Sequence, residues 1–233
     1  MEGHPIDSIC DCNQCELRDV FFESFSDDDL GDICRNKTEI SFLSGETVFR
    51  EGDMIRHFSY LKSGLVKLFK TDPSGKDQII TIAGPFDFVS LLGVFSDTNH
   101  SYSVSVLEDA VLCCIDIGRM KELALRNPGF SMNLMERMGA ASNKIIREGL
   151  EIRKRNTHGK VAYILLKFCR DIYGECRFDL PVSRREIAEN IGTTTENVIR
   201  TLSEFRKEKL IRINGKEIEV VNLAALERIS NYG

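Results

Sequence analysis

The sequence predicts an α+β chain with an N-terminal β-roll, a long helix and a C-terminal winged helix-turn-helix. Three observations predict it. Between Glu39 and about Met120, short apolar runs with period-two alternation are separated by glycine turns. From about Pro128 to Arg155 the apolar period becomes helical. After Pro181, two helix-start signals flank a glycine and a hairpin pattern follows. The expected division is a Cys-rich segment over 1–20, a sensory β-roll over 21–125, a dimerisation helix over 126–155 and a winged helix-turn-helix over 156–233.

Asp27 to Asn36 opens with three acidic residues and reads as a short helix. Strand candidates follow at 40–43, 47–49, 60–61, 66–69 and 78–82, with Gly45, Gly52, Gly64, Gly75 and Gly84 between them. Ser103–Val106 and Val111–Ile115 supply two more. Many short strands parted by turn residues imply a sandwich or small barrel. In the following helix, Leu134, Met138, Ala141, Ile145 and Ile152 keep a 4-3-4-7 spacing. That spacing is a two-chain seam, or else the face an amphipathic helix lays on its own domain.

The C-terminal signals are more specific. Ser183 and Glu186 form a capping box, in which hydroxyl and carboxylate satisfy backbone donors at a helix start. The helix stops at Gly192. Thr193 to Glu196 repeats the pattern and opens a second helix to about Lys207. Strand candidates at 210–213 and 217–221 flank Asn214-Gly215, the residues of a tight type I′ hairpin. In the second helix Val198, Leu202 and Phe205 share the inner face, while Glu196 and Arg200 are neighbours on another. Arg can fork onto guanine O6 and N7, and Glu can accept from cytosine N4. The plainer alternative is an intrahelical salt bridge on a solvated face.

Composition agrees with a globular chain, at 42% hydrophobic and 29% charged residues. The formal net charge is −5, yet residues 156–233 hold 13 basic and 11 acidic residues, so the acidic excess lies upstream. No run of about 18 apolar residues exists, and Met1 to Asp7 lacks an apolar signal region. A cytoplasmic location without a membrane partner is expected.

Together these features resemble the CRP/FNR superfamily of bacterial transcription regulators, closest to its FNR-like branch. Gly45 to Asp53 and Leu61 to Lys67 are similar to the family's cyclic-nucleotide-binding-domain-like β-roll. Gly192-Thr193-Thr194-Thr195-Glu196-Asn197-Val198-Ile199-Arg200 resembles its recognition-helix motif. The resemblance implies a homodimer on a palindromic DNA operator, RNA polymerase as a partner, and no catalysis. The expected DNA-contacting set is Ser183, Arg184, Thr194, Thr195, Glu196, Asn197, Ile199 and Arg200. FNR-like members usually carry Ser before the final Arg, and this chain has Ile199.

The eight cysteines bear on what is sensed. Cys10, Cys12 and Cys15 crowd into six residues, a density that asks for metal or redox chemistry. The resemblance implies a 4Fe–4S cluster held by these three and Cys113, with Cys114 as the adjacent alternative. The Cys-x-Cys-x2-Cys spacing is shorter than the usual FNR arrangement, and Phe21 stands where that arrangement has its third N-terminal cysteine. Such a cluster would answer to oxygen, nitric oxide or redox state. Zinc or a thiol switch could use the same sulfurs. Cys34, Cys169 and Cys176 are expected as buried structural thiols, since disulfides are rare in the cytoplasm. His57 and His100 leave haem or another small ligand as a minor option. A cytoplasmic iron–sulfur electron carrier is the rival class, although it would need no winged helix-turn-helix. Cyclic nucleotide is not expected. Val89-Ser90 replaces the Gly-Glu pair of cyclic-nucleotide members, and their phosphate-binding Arg is missing.

Overall fold

The computed structural model describes residues 3–6, 25–90 and 93–233. The chain divides into two compact units, one formed by residues 1–70 and 81–145, the other by 71–80 and 146–233.

The first unit is an antiparallel roll. Its strands are β1 (His4–Pro5), β2 (Lys37–Phe42), β3 (Thr47–Phe49), β4 (His57–Thr71), β5 (Asp77–Ala83) and β6 (Ser103–Asp116). They pair in the order β1-β2-β6-β4-β5, and β3 also pairs with β6. The central strand β6 thus takes β2 along one edge and β4 along the other. Glu39 and Tyr60 both lie opposite Cys113, and Thr38 and Ser59 opposite Cys114.

Two pairs of expected short strands are each one long strand. Gly64 was expected to turn the chain, but β4 runs through it with shifts of register on either side. Its φ is +87°, and a Cβ there would sit 2.3 Å from the Asp109 carbonyl oxygen. Only glycine fits so close a backbone approach, and the result is a bulge rather than a turn.

Three helices close one face of the roll. Helix α1 (Asp27–Asn36) starts at Ser26, whose hydroxyl accepts from the Asp29 amide. Helix α2 (Ile117–Arg126) is capped by Asp116, and α3 (Pro128–Arg153) follows. Leu30 and Ile33 of α1, Met120 and Leu123 of α2, and Phe130 and Leu134 of α3 pack with Phe25, Phe58, Tyr60, Cys113 and Ile115 in one core.

This packing covers part of the expected seam within the chain itself. Leu134 is only 5% exposed in its own chain's core, and Met138 and Ala141 pack against that core. Ala141 and Ile145 line a small cavity with Leu68, Ile82, Ala83 and Phe88 of the roll. Ile152 is half-buried. Leu134 therefore belongs to the face that α3 lays on its own roll, and Met138, Ala141 and Ile145 are half-buried beside it. The exposed large apolar residues of α3 are Met132, Met135, Ile146 and Leu150. Apolar spacing alone could not say which of two stripes faces the roll.

In the second unit, α4 (Thr157–Lys167) runs into a π-helical turn (Phe168–Ile172). Strand β7 (Arg177–Asp179), helices α5 (Arg184–Ile191) and α6 (Thr195–Lys207), strands β8 (Ile211–Asn214) and β9 (Glu217–Val220), and helix α7 (Leu223–Tyr232) complete it. The three strands form a sheet in the order β7-β9-β8. Val161, Ile164 and Leu165 of α4 are buried, as are Ile187, Ala188 and Ile191 of α5, Val198, Leu202 and Phe205 of α6, and Leu226 of α7.

The thiol expectation is corrected here. Cys169 and Cys176 are joined as a disulfide, with Cα atoms 4.5 Å apart. The π-helical turn and the return into β7 bring the two residues together, and the Cys176 carbonyl accepts from the Val220 amide. Cys34 is likewise disulfide-bonded rather than a free thiol.

Candidate nucleic-acid interface

Helix α5, the Gly192 turn and helix α6 form the helix-turn-helix. At the start of α5 the capping box is complete. Ser183 Oγ accepts from the Glu186 amide, and the Glu186 carboxylate accepts from the Ser183 amide. Gly192 ends the helix with φ +66°, a left-handed position that suits glycine. Lys160 of α4 donates to the Ile191 carbonyl at 3.0 Å, satisfying an acceptor at that helix end.

Helix α6 starts one residue later than the expected box. Thr194 is its N-cap and accepts from the Asn197 amide, so Asn197 rather than Glu196 occupies the third helical position. Glu196 consequently sits in the first turn. Its own amide and the Thr194 hydroxyl donate to its carboxylate and hold it below the usual carboxylate range.

Val198, Thr201, Leu202 and Phe205 turn inward and are buried. The opposite face carries Glu196, Ile199, Arg200 and Ser203, at helical spacing i, i+3, i+4 and i+7. The first three are exposed. No ion pair joins Glu196 to Arg200 among the described residues. Arg200 instead donates to Asn197 Oδ1 at 2.9 Å, and Asn197 Nδ2 donates to Thr193 Oγ1 at 3.1 Å. The intrahelical salt bridge that would have made this face a solvated surface is thus not formed. Ser203 belongs to the same stripe and was not among the expected residues, although its seven-residue distance from Glu196 would have found it.

The hairpin beside the helices is a wing. Asn214 pairs with Glu217, so the two-residue loop is Gly215-Lys216 rather than Asn214-Gly215. Gly215 has φ +62°, and Lys216 is absent from the residues with positive φ. That places glycine first in the loop, the pattern of a type II′ rather than a type I′ turn. Arg177–Glu217 and Arg212–Glu219 ion pairs tie the wing strands together, and Lys216 stands exposed at the tip. Arg184, half-buried at the start of α5, reaches the Gly215 carbonyl at 3.5 Å. His158 of α4 meets Glu204 of α6 at 2.6 Å, which braces the recognition helix from behind. Ser183 and Thr194 are exposed and Thr195 is half-buried.

The sensory roll holds the remaining expected residues. Cys10, Cys12 and Cys15 lie outside the described residues. Cys113 faces the helical core, 1% exposed, and burial pushes its thiol up to about 12. Cys114 points the other way and accepts from Ser59 Oγ at 3.4 Å. Among the described residues, no three His, Cys, Asp or Glu side chains converge on a metal-sized site. His100 is buried, stacked on Phe49 at 3.6 Å between ring centroids, with its Nδ1 unpartnered. Burial lowers its pKa to about 4, so it carries no charge at neutral pH. His57 and His100 line one cavity of about 430 Å³ with Phe49, Asp53, Met54 and Arg56. No helix among the described residues is long and apolar enough to cross a membrane.

A β-roll together with a winged helix-turn-helix whose outward face is free to meet base edges defines a DNA-binding transcription regulator. Residues 39–127 match the model of the cyclic nucleotide-binding domain, and residues 159–229 that of the Crp-like helix-turn-helix domain. The transcriptional activator protein Anr of Pseudomonas protegens is 30% identical over 182 residues, covering 76% of this chain and 74% of Anr. The fumarate and nitrate reduction regulatory protein of Escherichia coli is 24% identical over 88% of this chain and 82% of its own length. FixK2 from Bradyrhizobium japonicum shares the fold, with a TM-score of 0.74 and 22% identity over 83% of this chain and 96% of FixK2. The chain belongs to the CRP/FNR family, whose members are transcription regulators and not enzymes.

Proposed function

We propose that this regulator works as a homodimer on a palindromic operator, reading base edges with the outward face of α6 and recruiting RNA polymerase. The observation that carries the reading is the stripe Glu196, Ile199 and Arg200, exposed and without an ion pair between its two charges. Arg200 would fork onto a guanine, and the ionised Glu196 would accept from a cytosine N4. Ser183, Arg184, Thr194, Thr195 and Asn197 frame the helix start and would grip backbone phosphates, as would Lys216 at the wing tip. The exposed residues Met132, Met135, Ile146 and Leu150 of α3 supply the dimer face. Two-fold symmetry then sets two recognition helices about one DNA turn apart, roughly 34 Å. Hydroxyl-radical footprinting tests this. Two symmetric protected patches on one face of the duplex are expected, and a single unpaired patch would overturn the dimeric reading.

The proposed signal is redox state or a diatomic gas, sensed through a 4Fe–4S cluster on Cys10, Cys12, Cys15 and Cys113, which would form once the disulfide that holds Cys34 is reduced. The described residues fit such a group in two respects. The Ile6 amide donates to the Glu39 carbonyl, and Glu39 lies opposite Cys113. Phe25 packs in the same core as Cys113. Both flanks of the segment bearing the three N-terminal cysteines are therefore fastened beside the fourth. When bound, the cluster would supply oxidant-sensitive iron–thiolate bonds. Cys113 must lose its proton to serve as a ligand, and cation binding supplies that drive. Anaerobic reconstitution with iron and sulfide should give one cluster per subunit, absent from Cys113→Ser. A colourless wild type, or a full cluster in that variant, would remove the assignment.

Cyclic nucleotide stays outside this reading despite the domain type. Ser90, at the phosphate-binding position, is fully buried and hydrogen-bonded to the Ser59 backbone, and His100 is neutral. The cavity beside His57 and His100 favours one second reading, a small uncharged ligand, which equilibrium dialysis of the apoprotein would detect.

A further inference from the structure

We propose that the Cys169–Cys176 pair is a redox modification site, opened by a dithiol and closed again by peroxide, and that the closed disulfide holds the wing in place. The effect on DNA rests on the phosphate-gripping role of Lys216; the disulfide chemistry stands apart from it.

A transcription regulator works beside DNA, where thiols are kept reduced, and disulfides in that setting are as a rule transient and redox-sensing. The two cysteines differ in access. Cys169 is buried, 1% exposed, in the π-helical turn, a form frequent at functional sites. Cys176 is half-buried beside the exposed residues Gly174 and Glu175. A reductant therefore meets Cys176 first.

The bond reaches the wing through β7. This edge strand is three residues long, too short to hold its place by itself. It lies along β9 in the register Arg177–Glu219, Phe178–Ile218 and Asp179–Glu217. At one end of the pairing the Val220 amide donates to the Cys176 carbonyl at 2.7 Å. At the other, the Leu180 amide donates to the Lys216 carbonyl at the wing tip, at 2.9 Å. Residues 176–180 thus form a rail along the wing, and the disulfide fixes one end of that rail to the buried Cys169. Phe178 packs on Phe168 and Tyr173, with ring centroids 5.9 and 5.3 Å apart. Those ring contacts do not depend on the sulfurs, so the unit stays folded on reduction while the rail gains freedom. A covalent link closing a loop of about eight residues is worth roughly 60-fold in the closing equilibrium.

Both directions balance. A thiolate of the dithiol attacks the Cys176 sulfur, the S–S bond breaks, and Cys169 leaves as a thiolate that takes up a proton. The second thiol of the reductant then displaces Cys176. The reductant becomes a cyclic disulfide, and two electrons pass to the protein. In reverse, the Cys176 thiolate attacks peroxide and becomes a sulfenic acid. The Cys169 thiolate displaces its hydroxyl and the disulfide re-forms. Each hydroxide released takes the proton its thiol gave, leaving two waters per disulfide.

The test compares full-length wild type with the Cys169→Ser/Cys176→Ser double variant, before dithiothreitol, after it, and after dialysis into hydrogen peroxide. Mass spectrometry of alkylated peptides follows this pair apart from the N-terminal cysteines. In reduced wild type, far-UV circular dichroism should be unchanged, while hydrogen exchange at the Val220 and Leu180 amides quickens about 10-fold or more. Affinity for random duplex DNA should fall on the order of 10-fold, the scale of one charge-assisted phosphate contact. Peroxide should restore both. The double variant should behave as reduced wild type under all three conditions. A pair that dithiothreitol leaves closed in the folded protein overturns the proposal, as does unfolding on reduction, which would make the disulfide purely structural. So does unchanged exchange in reduced wild type, or a further loss of affinity when the double variant meets dithiothreitol. Quickened exchange with unchanged affinity also overturns it where Lys216→Ala weakens binding. Where Lys216→Ala binds DNA as wild type does, the phosphate-gripping role itself has failed, and the wing's hold on DNA falls with it.

Discussion

Replacing Ile146 by Asp should separate the subunits while leaving each one folded, and Leu134→Ala should do the reverse. The two residues lie on one helix but on different faces. Ile146 is 59% exposed within its chain, whereas Leu134 is 5% exposed in the core of the roll. Full burial of an isoleucine is worth about 1.5–3 kcal/mol, so covering the exposed share of Ile146 in both subunits contributes about 2–3.5 kcal/mol to dimerisation. Removing it weakens the dimer constant about 30- to 400-fold before any charge effect. Two carboxylates brought near the two-fold axis add desolvation and repulsion. Leu134→Ala, by contrast, leaves a cavity among Phe25, Phe130 and their neighbours and should cost about 2–5 kcal/mol of folding stability. Sedimentation equilibrium reads the first effect and urea unfolding the second. A wild-type dimer constant in Ile146→Asp would refute the placement of the interface. So would dissociation of Leu134→Ala without loss of stability.

Other consequences follow from the same geometry. His100 has a folded pKa near 4 against an ordinary 6.5, so the unfolded chain binds its proton first as pH falls. Its stabilising neutral form is fully present above about pH 6.5 and is lost on approach to pH 4, by about 3 kcal/mol at most. His100→Phe should flatten that part of the stability–pH curve relative to wild type, and an unchanged slope would show that His100 does not carry it. Lys216→Ala at the wing tip should weaken operator and random DNA alike. It should also lower the slope of log K against log salt by about 1 for each phosphate that Lys216 neutralises. A weakening confined to operator DNA would instead make Lys216 a base reader.

The legible parts of this molecule were those written in local chemistry. Asp27–Asn36 reads as a helix because acidic residues crowd its start, and the structure gives that span. The first capping box is visible because Ser183 and Glu186 are three residues apart, and both of its bonds form. The second box misleads because three consecutive threonines offer equivalent hydroxyls, and only the backbone geometry selects Thr194. Gly64 reads as a turn because sequence cannot distinguish a glycine that reverses the chain from one that lets Asp109 approach. The stripe on α3 is ambiguous for a tertiary reason. Leu134 and Ile146 are equally apolar, and only the roll decides which one is covered. The approach of Cys169 to Cys176 depends on a π-helical turn that no periodicity announces.

The most direct test of the central claim is the ratio of operator to random-DNA affinity for wild type and Arg200→Ala at one fixed salt concentration. Loss of the guanidinium fork should cost about 1–3 kcal/mol of discrimination per half-site, falling on one G·C pair. The ratio should therefore drop by about 10-fold or more, while random-DNA affinity, which rests on phosphates, changes little. An unchanged ratio would mean that α6 does not read the bases.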